Sequence, residues 1–486
     1  MRVIVLLLLL FPFLAPPKLR AEEVPSSIST DAPAAVAPIS TENLQRLLER
    51  GVSEGLIAGG VIVVGNHEGI LASVARGRVS ASPAAPAITD RTLFDVASLT
   101  KVIATSPAIL KLLDEGRIAL NDPVSRWFPE LAGTDKGNIT VLHLMTHTSG
   151  LSDVMVGSGG SMERLLQKVA AERFRGAGTG FDYADINFIL LGELVRRVSG
   201  ERLDRFCHDE IYQPLGTRDT SFLPARDDLA DIAPTSGETG GVVQDINARN
   251  LGGVAGHAGL FTTAYDLARY ARLMLGRGSL DGTRIFSEQA VAEMTTPYLC
   301  NNGRVKRGLG WDMGSPFSAP KGNYFSDNSF GHTGYSGSSI WIDPKQDLFV
   351  IMLTRRLDYR NVHEFNQLRR DVSTVAAAEY NGLPGESDVL PSRPVRVKPS
   401  EVVRFAVLKR AGGIKLASIK WRGDRRPASC SVKPGRRTLH ANALHRGKAV
   451  RVSKALHSGT TSKVAAGAKG KVRRTASKKH RSTHKG

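Results

Sequence analysis

The chain has 486 residues, of which 41% are hydrophobic, and this length allows one large domain or two domains with a substantial core. The formal charge of +19 comes from the C-terminus, because 24 of the 65 Lys and Arg residues follow position 400, where only two residues are acidic. The first 400 residues carry 41 basic and 44 acidic side chains, so the main domain is nearly neutral and is not predicted to bind nucleic acid specifically. Three widely separated cysteines fit neither a disulfide framework nor a zinc site.

The N-terminus has the pattern of a secretory signal peptide over residues 1–21. Arg2 supplies the charged start, Val3–Leu14 form an apolar core, and Ala21 is a suitable cleavage site. This pattern predicts a secreted or periplasmic protein, with an uncleaved N-terminal membrane anchor as the alternative. Residues 22–39 are rich in Pro, Ala and Ser and are predicted to be a linker.

A folded domain is predicted over residues 40–385. After a short first helix, the apolar runs Ile57–Gly65 and Ile70–Ala75 are predicted to pair as a hairpin. The later elements are predicted in this order: a helix from Ser98 to Gly116, an amphipathic helix over 186–198, a capped helix over 264–274, strands over 339–343 and 348–353, and a helix ending near residue 380. Strands at both ends and helices in the middle predict an α/β (α+β) domain with an inserted, mostly helical region.

Residues 386–486 are predicted to be a basic, largely disordered C-terminal tail. The segment 431–486 contains Lys, Arg, Ser, Ala, Gly and His with almost no large apolar residue, so it cannot form a core. One interpretation is a solvated charged tail. The other is an electrostatic contact between residues 401–486 and anionic cell-wall polymers or lipids.

Ser98 and Lys101 form the pair that points most directly to chemistry. Residues three apart share one face of a helix, so the lysine can accept the serine proton if its amine is neutral, which gives an activated nucleophile. The alternative is a helix-capping serine beside a solvated lysine. The same spacing recurs at Ser318–Lys321, which a proline interrupts, and at Ser482–Lys485 in the basic tail.

Two further segments supply the groups that a serine nucleophile needs. Phe181–Asn187 places Tyr183 at the head of a predicted helix, where its hydroxyl can hydrogen-bond the nucleophile and a leaving group. Phe330–Gly337 precedes a predicted strand, and its small residues allow the backbone to approach a substrate closely.

With these three motifs in order, roughly residues 40–380 resemble the serine β-lactamase and penicillin-binding protein superfamily. The resemblance is greatest to the branch of class C β-lactamases, D-alanyl-D-alanine carboxypeptidases and esterases. It is carried by four longer stretches, Phe94–Val102, Ile139–Leu151, Tyr183–Gly192 and Asn250–Phe261. The implied architecture is the β-lactamase/transpeptidase-like fold, with an antiparallel sheet flanked by helices.

The resemblance also implies roles for individual residues. Ser98 would be the nucleophile, Lys101 the base for acylation, and Tyr183 a proton shuttle or charge stabiliser. The backbone N–H groups of Ser98 and Tyr335 would form the oxyanion hole. The residues implied to bind substrate are Asp185, His332, Thr333, Gly334 and Tyr335.

Two positions depart from the family pattern. Asp185 stands where the second motif often has Asn, and a carboxylate that holds Lys101 would favour the charged amine. His332 stands where the third motif often has Lys, and a histidine that titrates near neutrality would anchor a substrate carboxylate only at lower pH. Both changes argue against efficient β-lactam hydrolysis and leave a peptidase or an esterase open.

These features predict an exported serine hydrolase that forms an acyl-enzyme on Ser98, with peptidoglycan D-Ala-D-Ala stems or small esters as substrates and β-lactams third. The alternative is a non-catalytic, penicillin-recognising protein that binds the cell wall.

No metal or organic cofactor is predicted, and the sequence does not indicate an oligomeric state. His143 and His147 have the spacing of zinc ligands on a helix but lack the accompanying Glu, and His257 is predicted to be structural. Asp245 and Asn247 are weaker candidates for the cleft.

Overall fold

The computed structural model describes residues 39–225, 231–235 and 239–383, together with two short strands in the C-terminal segment. The predicted signal peptide over 1–21 and nearly all of the predicted linker over 22–39 lie outside the described residues. So does the predicted tail over 386–486, apart from one antiparallel hairpin of Val407–Arg410 and Gly413–Leu416. Within the described ranges, the helices are all too short or too polar to cross a membrane.

The described part of the chain contains eleven α-helices. They are α1 (Glu42–Ser53), α2 (Ser106–Asp114), α3 (Val141–Met145), α4 (Met162–Ala171), α5 (Asp185–Ser199), α6 (Leu203–Cys207), α7 (Gln213–Leu215), α8 (Ile246–Asn250), α9 (Ala264–Leu275), α10 (Glu288–Met294) and α11 (Val362–Tyr380). The predicted helices that end at Gly200 and near residue 380 are confirmed as α5 and α11. The helix capped by Thr263 is confirmed as α9, since the Thr263 side chain accepts a hydrogen bond from the Asp266 N–H at 3.1 Å.

The strands form one large sheet and three small ones. They are β1 (Ile57–Gly65), β2 (Ile70–Gly77), β3 (Leu93–Asp95), β4 (Ser221–Phe222), β5 (Ile232–Ala233), β6 (Leu260–Thr262), β7 (Ser279–Leu280), β8 (Thr283–Arg284), β9 (Tyr298–Cys300), β10 (Val305–Arg307), β11 (Asp312–Gly314), β12 (Phe330–Thr333), β13 (Ser339–Asp343), β14 (Leu348–Arg356), β15 (Val407–Arg410) and β16 (Gly413–Leu416). The large sheet has the order β2-β1-β14-β13-β12-β11-β10-β9, and its strand pairs are antiparallel. The first and last parts of the domain therefore meet at the β1–β14 pair, as the sequence predicts.

The middle of the large sheet is buried on both faces, which explains why β1 and residues 348–353 of β14 are apolar throughout. Along β1, Val61 and Val63 pack into the core shared with the helical region, whereas Ile62 and Val64 pack against α1 and α11. Successive side chains of a strand point to opposite faces, so a strand covered on both sides needs apolar residues at every position.

A small sheet of the order β4-β6-β3-β5 contains the strand that leads to Ser98, and the sequence did not predict this sheet. Phe94 in β3 pairs with Thr262 in β6 and with Ala233 in β5. The strands have two or three residues each, which is too short for a period-2 pattern to stand out. Because β3 ends at Asp95, the sheet fixes the backbone just before Ser98.

Candidate active site

Ser98 lies on a tight turn directly after β3. The turn is a 3₁₀ segment, Ala97–Leu99, and Ala97 has a φ of 47°, in the left-handed region that residues other than glycine seldom adopt. The buried Asp95 carboxylate holds this conformation by accepting the Ala97 N–H at 2.8 Å. Its other oxygen accepts the Gln244 N–H at 2.6 Å, and burial raises the pKa of Asp95 to about 6.

The segment after Ser98 corrects the predicted single helix over 98–116. Residues Lys101–Thr105 form a π-helical turn, and regular α-helix begins only with α2. Pro107 lies in the first turn of α2, where its missing N–H leaves the Ile103 carbonyl without the usual donor. The Tyr212 hydroxyl donates to the Ile103 carbonyl at 3.2 Å, so a tertiary contact stabilises this irregular segment.

The structure brings Ser98 and Lys101 together. The Lys101 Nζ lies 3.0 Å from the Ser98 Oγ, 2.7 Å from the Asp185 Oδ1 and 3.1 Å from the carbonyl oxygen of His257. The lysine side chain is fully buried, whereas Ser98 is half-buried at the surface of the cleft. The alternative of a solvated lysine is therefore wrong.

Lys101 is held in its charged form. Burial by itself disfavours the ammonium, but the Asp185 carboxylate and the Tyr183 phenol outweigh burial and raise the pKa of Lys101 above its ordinary value. A general base in acylation needs a neutral amine near pH 7, which requires the opposite change. Asp185 therefore acts as the counter-ion of Lys101.

Tyr183 lies over the lysine at the start of α5. The Lys101 Nζ is 5.2 Å from the centre of the Tyr183 ring, and this ring stacks on the His147 ring with centroids 4.4 Å apart. His147 also accepts the Ala184 N–H at 3.3 Å, so it positions the second motif. Burial lowers the pKa of His147 well below its ordinary value, which keeps the imidazole neutral and able to accept this bond.

His257 and Asp245 complete the wall behind Lys101. The His257 Nε2 is 2.8 Å from the Asp245 Oδ1. Although burial opposes it, the hydrogen bond from His257 lowers the pKa of Asp245 to about 2. Asp185, Asp245 and His257 each place one potential metal-ligating atom within 4.8 Å of the others. The Lys101 ammonium, bonded to Asp185 and to the His257 backbone, supplies positive charge at this cluster.

Two other residues that the sequence singled out, Asn247 and His143, have structural roles. The Asn247 Oδ1 accepts the Val156 N–H at 2.9 Å and fixes the neighbouring loop. His143 accepts the Thr140 N–H at 3.1 Å and caps α3.

The third motif begins on β12, which lies beside the 3₁₀ turn that carries Ser98. His332 is buried, and its Nδ1 donates to the Thr333 carbonyl at 2.8 Å. Burial, together with the charges of Arg307 and Lys101, lowers the pKa of His332 well below its ordinary value. The expectation that His332 titrates near neutrality is therefore wrong, and the imidazole is neutral at physiological pH.

Gly334 allows the third motif to approach the turn that carries Ser98. A Cβ at this position would lie 2.3 Å from the Val96 carbonyl oxygen, so the close approach requires glycine. Tyr335 follows with its side chain half exposed, and Thr333 is half-buried in the same cleft. The structure thus brings Ser98, Lys101, Tyr183 and the third motif close together.

Comparison with known proteins agrees with this arrangement. The sequence profile of the Beta-lactamase family matches residues 43–373. A protein of Escherichia coli K12 named as a candidate D-alanyl-D-alanine carboxypeptidase is 29% identical over 308 residues, which cover 55% of this chain and 70% of that protein. The N-acetylmuramyl-L-alanine amidase of Bacillus subtilis 168 is 30% identical over 376 residues, which cover 66% of this chain and 83% of the amidase.

A solved structure shares the fold. The class C β-lactamase of Rhodobacter sphaeroides superposes with a TM-score of 0.57 and 21% identity, over 71% of this chain and 99% of that protein. The predicted β-lactamase/transpeptidase-like fold is confirmed. The chain belongs to the β-lactamase family, whose members are typically serine hydrolases.

Sequence reasoning missed three groups that shape the site. The spacing of His143 and His147 suggests only a metal ligand for His147, whereas in the structure its ring stacks on Tyr183. Arg356 and Arg369 contact the carbonyls around Tyr335 from β14 and α11. Neither arginine has a local sequence signal, because its partner lies more than 20 residues away, and only the three-dimensional fold reveals the contact.

Proposed function

We propose that this protein is a hydrolase that forms an acyl-enzyme on Ser98. The observation that carries the proposal is the 3.0 Å contact between the Ser98 Oγ and the Nζ of a fully buried lysine. Burying an ammonium is unfavourable unless it is paired. A lysine with no role beside the serine would therefore be expected to lie in solvent. The strained Ala97 conformation at the same turn is typical of functional sites.

In the proposed reaction the Ser98 oxygen attacks the carbonyl carbon of a peptide or an ester. The bond from that carbon to the leaving nitrogen or oxygen then breaks, and the serine proton ends on the leaving group. Because Lys101 is charged in the resting site, the proton passes through Tyr183, or through Lys101 after it gives a proton to Asp185. Water then attacks the acyl carbon and releases the acid, which restores Ser98.

The proposed substrates are peptidoglycan D-Ala-D-Ala stems or small esters, with β-lactams third. The names of the E. coli and B. subtilis relatives support a cell-wall amide bond as the target. The neutral His332 does not offer the fixed cation that would strengthen binding of a substrate carboxylate, which supports esters as well. The muramyl–L-alanine amide that the amidase name implies belongs in the same substrate panel.

We also propose that the protein is exported and that residues 401–486 bind anionic cell-wall polymers or lipids. The N-terminal sequence pattern and the concentration of Lys and Arg after position 400 support these two proposals. Deletion of residues 401–486 should abolish salt-sensitive binding to teichoic acid or anionic vesicles and leave turnover unchanged. Binding that persists after the deletion would contradict the role of the tail.

The test of the catalytic proposal is intact-protein mass spectrometry after incubation with a fluorophosphonate and, separately, with a penicillin. An adduct that Ser98→Ala abolishes would identify the nucleophile, and the reagent that reacts would rank esterase against penicillin-binding chemistry. Turnover of p-nitrophenyl acetate and of a D-Ala-D-Ala peptide would then rank the substrates. Absence of any adduct would support the non-catalytic, cell-wall-binding alternative.

A further inference from the structure

Two buried arginines hold the backbone on both sides of the Tyr335 N–H. Arg369, in α11, donates through its Nη2 to the Gly334 carbonyl at 2.5 Å and to the Ser338 carbonyl at 2.9 Å. Arg356, at the end of β14, donates through its Nη1 to the Tyr335 carbonyl at 3.2 Å. Both guanidinium groups lie against the Phe365 ring, at 4.7 Å for Arg369 and 4.3 Å for Arg356.

The two arginines donate to the carbonyl oxygens of different peptide groups. The Gly334 carbonyl and the Tyr335 N–H belong to the same planar peptide group. A donor on the carbonyl oxygen polarises that group and makes its N–H a stronger hydrogen-bond donor, because hydrogen bonds in a chain reinforce one another. Arg369 therefore acts on the N–H that is proposed for the oxyanion hole. Arg356 acts on the next peptide group, whose N–H belongs to Ser336.

The burial of the Arg369 guanidinium is unfavourable for the stability of the fold. It is 4% exposed, it bonds backbone carbonyls and the Asn366 side chain, and it lies close enough to Arg356 for the two charges to repel. Burial, then Arg356, lowers the pKa of Arg369 to about 9, so the guanidinium is still charged at neutral pH. Within residues 39–225, 231–235 and 239–383 no acidic side chain pairs with this guanidinium, and a buried cation of this kind is suited to stabilise negative charge that develops nearby.

We propose that Arg369 is a positioning residue that strengthens the oxyanion hole by holding and polarising the Gly334–Tyr335 peptide group. This inference rests on the proposed acyl-enzyme chemistry of Ser98. The negative charge on the carbonyl oxygen of the substrate grows only as the tetrahedral intermediate forms. Arg369 should therefore affect the rate of acylation far more than the binding of the substrate in its ground state.

The test is the Arg369→Met variant, which removes the donor and its charge and keeps an apolar side chain of similar reach. The rate constant for fluorophosphonate labelling of Ser98 should fall about 10-fold, as should kcat for p-nitrophenyl acetate, with KM changed less than about twofold. The affinity for a boronic acid, which forms a tetrahedral adduct with the serine, should weaken by the same factor. Arg369→Lys should recover part of the loss, because an ammonium can still donate to the carbonyl.

Two control variants separate polarisation from loss of structure. Arg50→Met breaks the 2.5 Å ion pair between Arg50 and Asp371, which ties α1 to α11, and should lower stability without changing labelling. Arg356→Met should reduce labelling less than Arg369→Met, because its carbonyl partner does not belong to the oxyanion peptide group. Equal losses in the two arginine variants, or unchanged labelling in Arg369→Met, would overturn the inference. Failure of the wild-type protein to label would instead overturn the proposed acyl-enzyme.

Discussion

The substitution Asp185→Asn tests whether the counter-ion of Lys101 controls the proton chemistry of the site. In the structure the Asp185 Oδ1 is 2.7 Å from the Lys101 Nζ, and the lysine side chain has no exposure to solvent. The substitution keeps the size of the side chain and removes its charge. Burial of the ammonium is then opposed only by the remaining groups, among them the Tyr183 phenol, so the pKa of Lys101 falls relative to the wild type.

The size of the effect follows from Coulomb's law with a screening correction. Two unit charges 4 Å apart attract by about 4 kcal/mol at an effective dielectric constant of about 20. The Asp185 side chain is 32% exposed, and screening by solvent reduces this attraction to about 2 kcal/mol. Since 1.36 kcal/mol is a factor of ten, the neutral fraction of Lys101 at pH 7 should rise about 30-fold in Asp185→Asn.

The assay is the pH dependence of kcat/KM for ester hydrolysis between pH 6 and 10. If the neutral amine of Lys101 takes the serine proton, the rise of activity with pH should move to lower pH in Asp185→Asn. The value of kcat/KM at pH 7 should then increase by up to about 30-fold. The control is Asp182→Asn, which removes an exposed carboxylate paired with Arg175 from the same segment and should leave the profile unchanged.

Stability provides an independent measure with a definite sign. In the wild type the raised pKa of Lys101 stabilises the fold below the pKa of a free lysine, about 10.4, and this contribution is lost as pH rises through the folded value. In Asp185→Asn the pKa of Lys101 falls by less than it is raised in the wild type, so it stays above the pKa of a free lysine and its contribution to stability keeps the same sign but is smaller. The Tm of Asp185→Asn should therefore lie below that of the wild type by a similar amount at pH 7 and at pH 9. Identical pH–rate profiles for the two proteins would refute Lys101 as the titrating base.

Three further predictions follow from other contacts. Because the pKa of His332 is lowered far below 6.5, acylation by a carboxylate-bearing penicillin should not accelerate between pH 8 and pH 6, and an acceleration centred near 6.5 would contradict the neutral imidazole. Tyr212→Phe leaves the Ile103 carbonyl without a donor and should lower the free energy of unfolding by about 1 to 3 kcal/mol, measured in urea. Gly256→Ala places a Cβ 2.0 Å from the Phe188 carbonyl oxygen and should cost about 1 to 3 kcal/mol by the same measurement, whereas Gly69→Ala, with no atom within 4 Å of its Cβ, should change little.

The sequence predicted the parts of the fold that depend on local patterns. The apolar runs of β1 and β2, the Thr263 cap of α9 and Gly200 after α5 each act over a few residues, and each is confirmed. The Ser98–Lys101 contact was predictable for the same reason, because a spacing of three residues places both side chains on one side of a helical segment.

The remaining features depend on contacts between distant segments. The π-helical turn at Lys101–Thr105 is stabilised by Tyr212 and by Tyr270, whose hydroxyl donates to the Val102 carbonyl at 2.9 Å. No local pattern could predict that turn, because its stabilising donors come from more than 100 residues away. The neutral state of His332 has a similar origin. Its sequence neighbours do not reveal that the ring is buried near Arg307 and Lys101, and these surroundings set its pKa.

The two departures from the family pattern act on Lys101 in the same direction. Replacing an amide by Asp185 adds a negative charge 2.7 Å from the ammonium. Replacing a lysine by His332, which is neutral and interacts electrostatically with Lys101, removes a positive charge from the same cleft. Each change favours the charged form of Lys101, so their effects on its pKa add. Asp185→Asn therefore reverses only one of the two changes, and the double substitution Asp185→Asn with His332→Lys should lower the pKa of Lys101 further. A pH–rate profile in the double variant that matches that of Asp185→Asn would show that His332 has no influence on the lysine.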